Sequence, residues 1–314
     1  AGSGSEPRPT SEQEAEALEH TRREGATALR NGAKLGLSLL LTWAVALVIT
    51  FKLPRYLGPL EWGYYKYGFE YATALAVFLH LGVDTYISRE IPVRPKHASD
   101  FFFGVLLARM VLVIPLFAYG YVHLTHKQPE ERVAAALFGL TQLFIVANAT
   151  FQQILQAAST VGRLAISNVV AKVLWGGGTF AAVTLKAPFW VLPLPMLAAE
   201  SMKAMFLYLA TRESVDLELR MDFTETKKVL RASLPFFVAI AAVYLGSSLD
   251  VVLLRELVPE GSEEVGWYSA AREIARLSAM MMPVLTGVLV PMMSRAMHNN
   301  EGEFFRILRR GLEG

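Results

Sequence analysis

Five basic and three acidic side chains stand inside stretches otherwise made of apolar residues: Arg109, Lys172, Lys203, Arg272 and Arg276 against Glu200, Asp250 and Glu273. Ionised groups are costly in hydrocarbon, so they face a protein interior or a water-filled cavity. The excess of cations suits an anionic ligand. Arginine can hold phosphate oxygens through two parallel hydrogen bonds, and lysine adds a point charge. Arg272 and Arg276 share a helix face at i and i+4, where like charges repel. Something anionic must therefore lie opposite: Glu70 or Asp250 from within the chain, or a phosphate from outside. Glu273 is expected on another part of the helix. Glu200 and Lys203, at i and i+3, can pair on one face. Asp250 is a partner for Arg272 or a site for proton or sodium coupling, and the residues alone do not choose.

Lys172 lies nine residues past Arg163, about 13 Å along a helix and near the middle of a bilayer. A long lysine stem can lean toward water, but comfortable reach of the headgroups is lost at that depth. A cavity-facing amine is the preferred reading. Gly176, Gly177 and Gly178 follow one turn later. Close helix packing explains them, and so does a bending point; packing is preferred.

These charges need elements to hold them. The chain is 53% hydrophobic and only 18% charged. One or two soluble cores could not bury that much apolar surface. Apolar runs long enough to span hydrocarbon fall near 35–52, 66–88, 101–122, 133–156, 164–185, 187–210, 232–255 and 269–293. None alternates strictly, which argues against a β-barrel. The fold class is therefore an all-α polytopic membrane protein with eight spans. Residues 1–31 read as a polar tail, with Ser11 capping a short helix to about Arg30. Several spans carry proline: Pro115, Pro193, Pro195, Pro235, Pro283 and Pro291. Each favours a kink. The charged segment 213–231 reads as a linker containing a surface amphipathic helix.

With the N-terminus in the cytosol, the inner connections hold 18 Lys and Arg residues and the outer ones 7. That bias places the N-terminus inside. The outer set is Lys52, Arg55, Lys66, Lys127, Arg132, Lys186 and Arg255.

Enzyme signatures are lacking. There is no phosphate-binding glycine loop and no nucleophile elbow. With no cysteine, thiol catalysis and zinc-thiolate sites are excluded. His123 and His126 form a weak metal-type spacing without further ligands, better placed at a headgroup interface. Asn148-Ala149-Thr150 matches a glycosylation triplet but falls inside span four.

Two five-residue motifs repeat at an offset of 203 residues: Glu61-Trp62-Gly63-Tyr64-Tyr65 and Glu264-Val265-Gly266-Trp267-Tyr268. Glu70 and Glu273 align at the same offset. Six spans separate the copies, so both lie the same way up. That arrangement suggests a parallel repeat of two six-helix lobes.

The stretch LPRYLGPLEWGYYKYGFEYATALAVFLHLGVDTYISRE resembles the first helix pair of bacterial polysaccharide biosynthesis proteins. These are the O-antigen type oligosaccharide flippases of the multidrug/oligosaccharidyl-lipid/polysaccharide (MOP) exporter superfamily, relatives of the MATE-type drug exporters. ASLPFFVAIAAVYLGSSLD with EVGWYSAAREIARL resembles the opening of their second lobe, and LVPMMSR the close of helix eight. The resemblance implies two six-helix lobes around a central cavity. Residues 32–212 would form the first lobe, and 232–314 the first two helices of the second with the approach to a ninth. Both ends of the chain then read as cut.

The resemblance also implies movement of an undecaprenyl-pyrophosphate-linked oligosaccharide from the cytosolic to the outer leaflet of a bacterial inner membrane. The partners expected are the bilayer, that lipid-linked glycan and glycan polymerase machinery, with no nucleic acid and no cofactor beyond a coupling proton or sodium ion. A cation-coupled drug exporter is the second reading, and the excess of deep cations argues against it. A membrane glycan polymerase or ligase is the third, and the short outer connections argue against that.

Overall fold

A computed structural model of the chain describes residues 11–90, 98–157, 161–215 and 222–279. The polar lead at 1–10, Arg94, Lys96, the second half of span eight with Pro283 and Pro291, and the closing basic segment lie outside them.

The described residues are helical. The elements are α1 (Ser11–His80), α2 (Val83–Glu90), α3 (Ala98–His123), α4 (Pro129–Ala157), α5 (Val161–Thr184), α6 (Leu194–Val215), α7 (Phe223–Leu257) and α8 (Glu264–Ala279). The expected short N-terminal helix is not a separate element. Helix starts at Ser11 and runs on into the first span, because nothing between the two interrupts it. The expected outer connection after residue 52 is also helical, broken only at Gly58 (φ 69°, ψ 175°) between Pro54 and Pro59. Gly58 takes a conformation other residues resist, and Pro59 starts the next limb where no amide donor is needed. α1 therefore has two limbs, 11–57 and 59–80.

Span two is divided as well. Leu81 (φ 54°) and Gly82 (φ 69°) turn the chain between α1 and α2. A Cβ on Gly82 would overlap the backbone of Ser233 and Phe237 in α7, so glycine serves both the turn and the close approach. The prolines behave unequally. Pro115 and Pro235 lie inside continuous α3 and α7. Pro193 and Pro195 open α6, where the Pro193 carbonyl accepts from the amides of Met196 and Leu197 (3.1 and 3.0 Å). The charged segment 213–231 does not form a surface helix of its own within the described residues. Asp222 caps the start of α7, accepting from the amides of Thr224 (2.8 Å) and Glu225 (3.1 Å), and the helix continues straight into span seven.

Among the described residues, four helices are long and apolar enough to cross a membrane: Phe102–His126, Pro129–Gln156, Gly162–Thr184 and Phe223–Leu257. Only 17% of the most apolar window of α7 is buried among the described residues. Expected spans two, six and eight are helical where described but more polar. The second limb of α1 holds Lys66 and Glu70, α6 holds Glu200 and Lys203, and α8 holds Arg272, Glu273 and Arg276.

Two cores sit at opposite ends of the bundle. One gathers Val83, Phe102, Ile154, Leu164, Leu207 and Val229. The other gathers Leu53, Trp62, Tyr65, Phe138, Phe189 and Leu192. α4, α5 and α6 each run between them, whereas α3 and α7 run from the first to a further cluster of Tyr67, Tyr71, Leu124, Ala135 and Val252. α1 packs against α4, α5, α7 and α8, and is the central element.

A charged seam as candidate functional site

The two repeated motifs meet in space. A Cβ on Gly63 would stand 3.0 Å from the Gly266 nitrogen and 3.3 Å from the Val265 Cβ. A Cβ on Gly266 would fall on the Pro59 carbonyl. Glycine in both copies lets α1 and α8 touch backbone to backbone. The aromatics are not equivalent. Trp62 and Tyr65 are 5% and 6% exposed and stack at 5.5 Å, whereas Trp267 is 63% exposed.

Below this crossing lies a network of three cations and three carboxylates. Lys66 bonds Glu273 and lies 3.6 Å from Glu70. Glu70, 1% exposed, accepts from Arg272 (2.8 Å) and Arg276 (3.0 Å). Arg272 also reaches Asp250 (2.8 Å), which accepts from the Tyr268 hydroxyl (2.7 Å). Arg276 lies 3.6 Å from Glu273 and donates to the Ser247 carbonyl (2.8 Å). The seam is neutral as a whole. The two arginines expected to face an anion do so, and the anions are Glu70 and Asp250. Glu273, expected elsewhere on its helix, belongs to the same network because Lys66 approaches from α1. Buried charges of this kind are tolerable only when every member is paired.

A second clamp joins α4 to α7. Arg255 donates two hydrogen bonds to Glu131 (3.2 and 3.1 Å), with both residues buried. The next residue, Glu256, accepts from Tyr67 (2.8 Å) and Lys127 (3.0 Å). Sequence reasoning placed Lys66, Lys127 and Arg255 in outer connections and passed over Glu131. The i, i+4 spacing of Lys66 and Glu70 was the available signal for the seam.

Arg109 is fully occupied. It donates to the carbonyls of Leu79 (2.8 Å) and His80 (3.4 Å) and to Thr150 (2.8 Å), and it lies 3.7 Å from Asp84. Those carbonyls are freed by the helix break at Leu81. Arg109 therefore caps α1 from inside the bundle, and it also lines a small cavity with Phe102 and Tyr208.

Lys172 has its amine 4.3 Å from the Trp175 ring centre. Among the described residues no carboxylate stands within ion-pair distance of Lys172 or Lys203. The expected Glu200–Lys203 pair is not closed. Asn148 of α4 takes the Glu200 carboxylate instead (2.8 Å) and also donates to the Glu200 carbonyl (3.0 Å). Glu200 and Lys203 still lie close enough for their charges to act on Lys172. Two of the three glycines are packing positions, while a Cβ on Gly177 would meet open space. A Cβ on Gly176 would strike Val45 of α1, and one on Gly178 would come 2.9 Å from Pro195 of α6. α5 stays continuous through them.

No group of three or more metal-type ligands occurs among the described residues. His123 instead stacks between Tyr71 (5.3 Å) and Tyr119 (5.8 Å).

A family model described as polysaccharide biosynthesis protein matches residues 28–297. Neither a curated protein nor a solved structure matches the chain.

Proposed function

We propose that this chain, which belongs to the polysaccharide biosynthesis protein family of O-antigen and polysaccharide flippases in the MOP superfamily, carries an undecaprenyl-pyrophosphate-linked oligosaccharide across a bacterial inner membrane. The direction is from the cytosolic to the outer leaflet, with the N-terminus of the protein in the cytosol. The observation that carries this reading is the neutral seam of Lys66, Glu70, Asp250, Arg272, Glu273 and Arg276 between α1 and α7–α8. Six ionised groups at one helix interface in a membrane protein are an expensive way to hold helices together. They suit an interface that opens to water and closes again. When it opens, Lys66, Arg272 and Arg276 exchange carboxylate for the pyrophosphate of the passing lipid, and the freed carboxylates are available to a coupling proton or sodium ion. Lys172 and Lys203, without a carboxylate in contact among the described residues, supply further positive charge for the same group.

The test is genetic. The gene of the full-length protein is deleted, and surface polysaccharide and lipid-linked repeat units are followed. The expected result is loss of surface glycan with accumulation of lipid-linked units at the inner leaflet, restored by the wild type. Unchanged glycan with altered drug sensitivity overturns the reading in favour of an exporter of organic cations.

A further inference from the structure

A separate cavity of about 430 Å³ lies between the second limb of α1, α3 and α4, away from the seam. Leu75, Leu79, Leu116, Gly120, Ala136 and Gly139 line it. It is apolar along most of its length and polar at one end. Arg132, in the first turn of α4, stands at that end and makes no ion pair among the described residues. Tyr71 also lines the cavity; it is 6% exposed, and its hydroxyl has no hydrogen-bond partner among the described residues. The register of α1 on α4 fixes the order along the cavity. Gly68 abuts Ala135, and Thr73 bonds Gln142, so Arg132 lies outermost, Tyr71 next and Leu79 deepest. Eight residues separate Tyr71 from Leu79, about 12 Å of helix.

A buried hydroxyl without a partner costs free energy, and an unpaired guanidinium beside an apolar slot attracts an amphiphile with an anionic head. α3 and α4 both cross the membrane, so the molecules that reach the slot are lipids. We infer that this cavity holds one acyl chain of an anionic membrane phospholipid, its phosphate at Arg132 and an ester oxygen accepting from Tyr71. The site is distinct from the seam and does not depend on what the seam transports.

The experiment uses the full-length protein in nanodiscs containing phosphatidylglycerol with a diazirine in one acyl chain. A zwitterionic phosphatidylcholine carrying the same group is the comparison. After illumination, labelled peptides are mapped by mass spectrometry. Phosphatidylglycerol is expected to label residues 116–120 and 136–139 several-fold more than the exposed surface of α7 around Val238 and Val243. Ala136→Trp fills the slot from an exposed position and is expected to abolish that excess. Arg132→Gln is expected to reduce phosphatidylglycerol labelling to the phosphatidylcholine level. Both variants are first checked for monodisperse elution. Equal labelling of the slot and α7, or labelling unchanged by Ala136→Trp, overturns the inference. So does displacement of the label by added polyprenyl-linked glycan, which would make the tail of the transported lipid the occupant.

Discussion

Gly63 of α1 and Gly266 of α8 approach so closely that a Cβ on either would press into the other helix. The two residues occupy the same place in a motif repeated 203 positions apart. Their contact holds α8 on α1 at one end of the charged seam, where Lys66, Glu70, Arg272 and Glu273 follow within two turns. The glycine crossing and the ion network thus form one interface.

That interface can be locked. The chain has no cysteine, so an introduced pair is free of competitors. A Cβ at position 63 lies 3.3 Å from the Val265 Cβ, near the separation a disulfide spans. Gly63→Cys with Val265→Cys is expected to cross-link rapidly under mild oxidation. If the seam must open for transport, the oxidised protein loses activity and regains it on reduction. Full activity while cross-linked would show that α1 and α8 never part.

Glu70 holds both arginines of the seam, so its neutralisation leaves two partly buried cations short of charge. Glu70→Gln is expected to cost about 3–5 kcal/mol, the usual penalty for breaking a buried pair from one side. The readout is a lowered thermal unfolding midpoint in detergent. Lys66→Met and Glu273→Gln, combined in a double-mutant cycle, are expected to depart from additivity by more than about 0.5 kcal/mol. Additive effects would mean that the Lys66–Glu273 bond contributes nothing of its own.

The helical class was legible because apolar runs report span length directly. The breaks were less so. Pro54, Gly58 and Pro59 were read as a loop, yet the structure keeps helix on both sides of Gly58. Propensity alone cannot tell a kink from a connection when the flanking residues pack, as Leu53, Leu57 and Trp62 do. Arg272, Arg276, Glu70 and Asp250 were legible as a set because helical spacing made two like charges demand an opposite. Glu131–Arg255 was not, since its partners lie 124 residues apart and each stands at the end of a span, where a solvated charge is the ordinary expectation. The partners of Arg109 were hidden for a related reason. Depth in a span identifies a costly charge, but the carbonyls that satisfy it appear only once the chain has turned at Leu81 and Gly82.

Arg255 binds Glu131 through two nitrogens of a planar fork, and it lies over the rings of Tyr64 and Tyr67 (5.3 and 5.9 Å). Lysine reproduces the charge but neither the fork nor the stacking. Arg255→Lys is therefore expected to behave like Arg255→Met in thermal stability. Recovery of wild-type stability by lysine would reduce the clamp to a simple ion pair.

Arg109 and Lys172 should part company when each is removed. Arg109 satisfies carbonyls at a helix break, so Arg109→Ala leaves them buried without donors and is expected to lower expression and stability. Lys172 touches the Trp175 ring but no carboxylate among the described residues, so Lys172→Met retains the packing of its stem. It is expected to fold and express as the wild type does and to lose at least about tenfold in transport, the effect of removing one strong interaction with a charged group. Surface glycan at matched protein level is the measurement. Glycan restored in full by Lys172→Met would assign that lysine to structure alone and move the burden of anion binding onto Arg272 and Arg276.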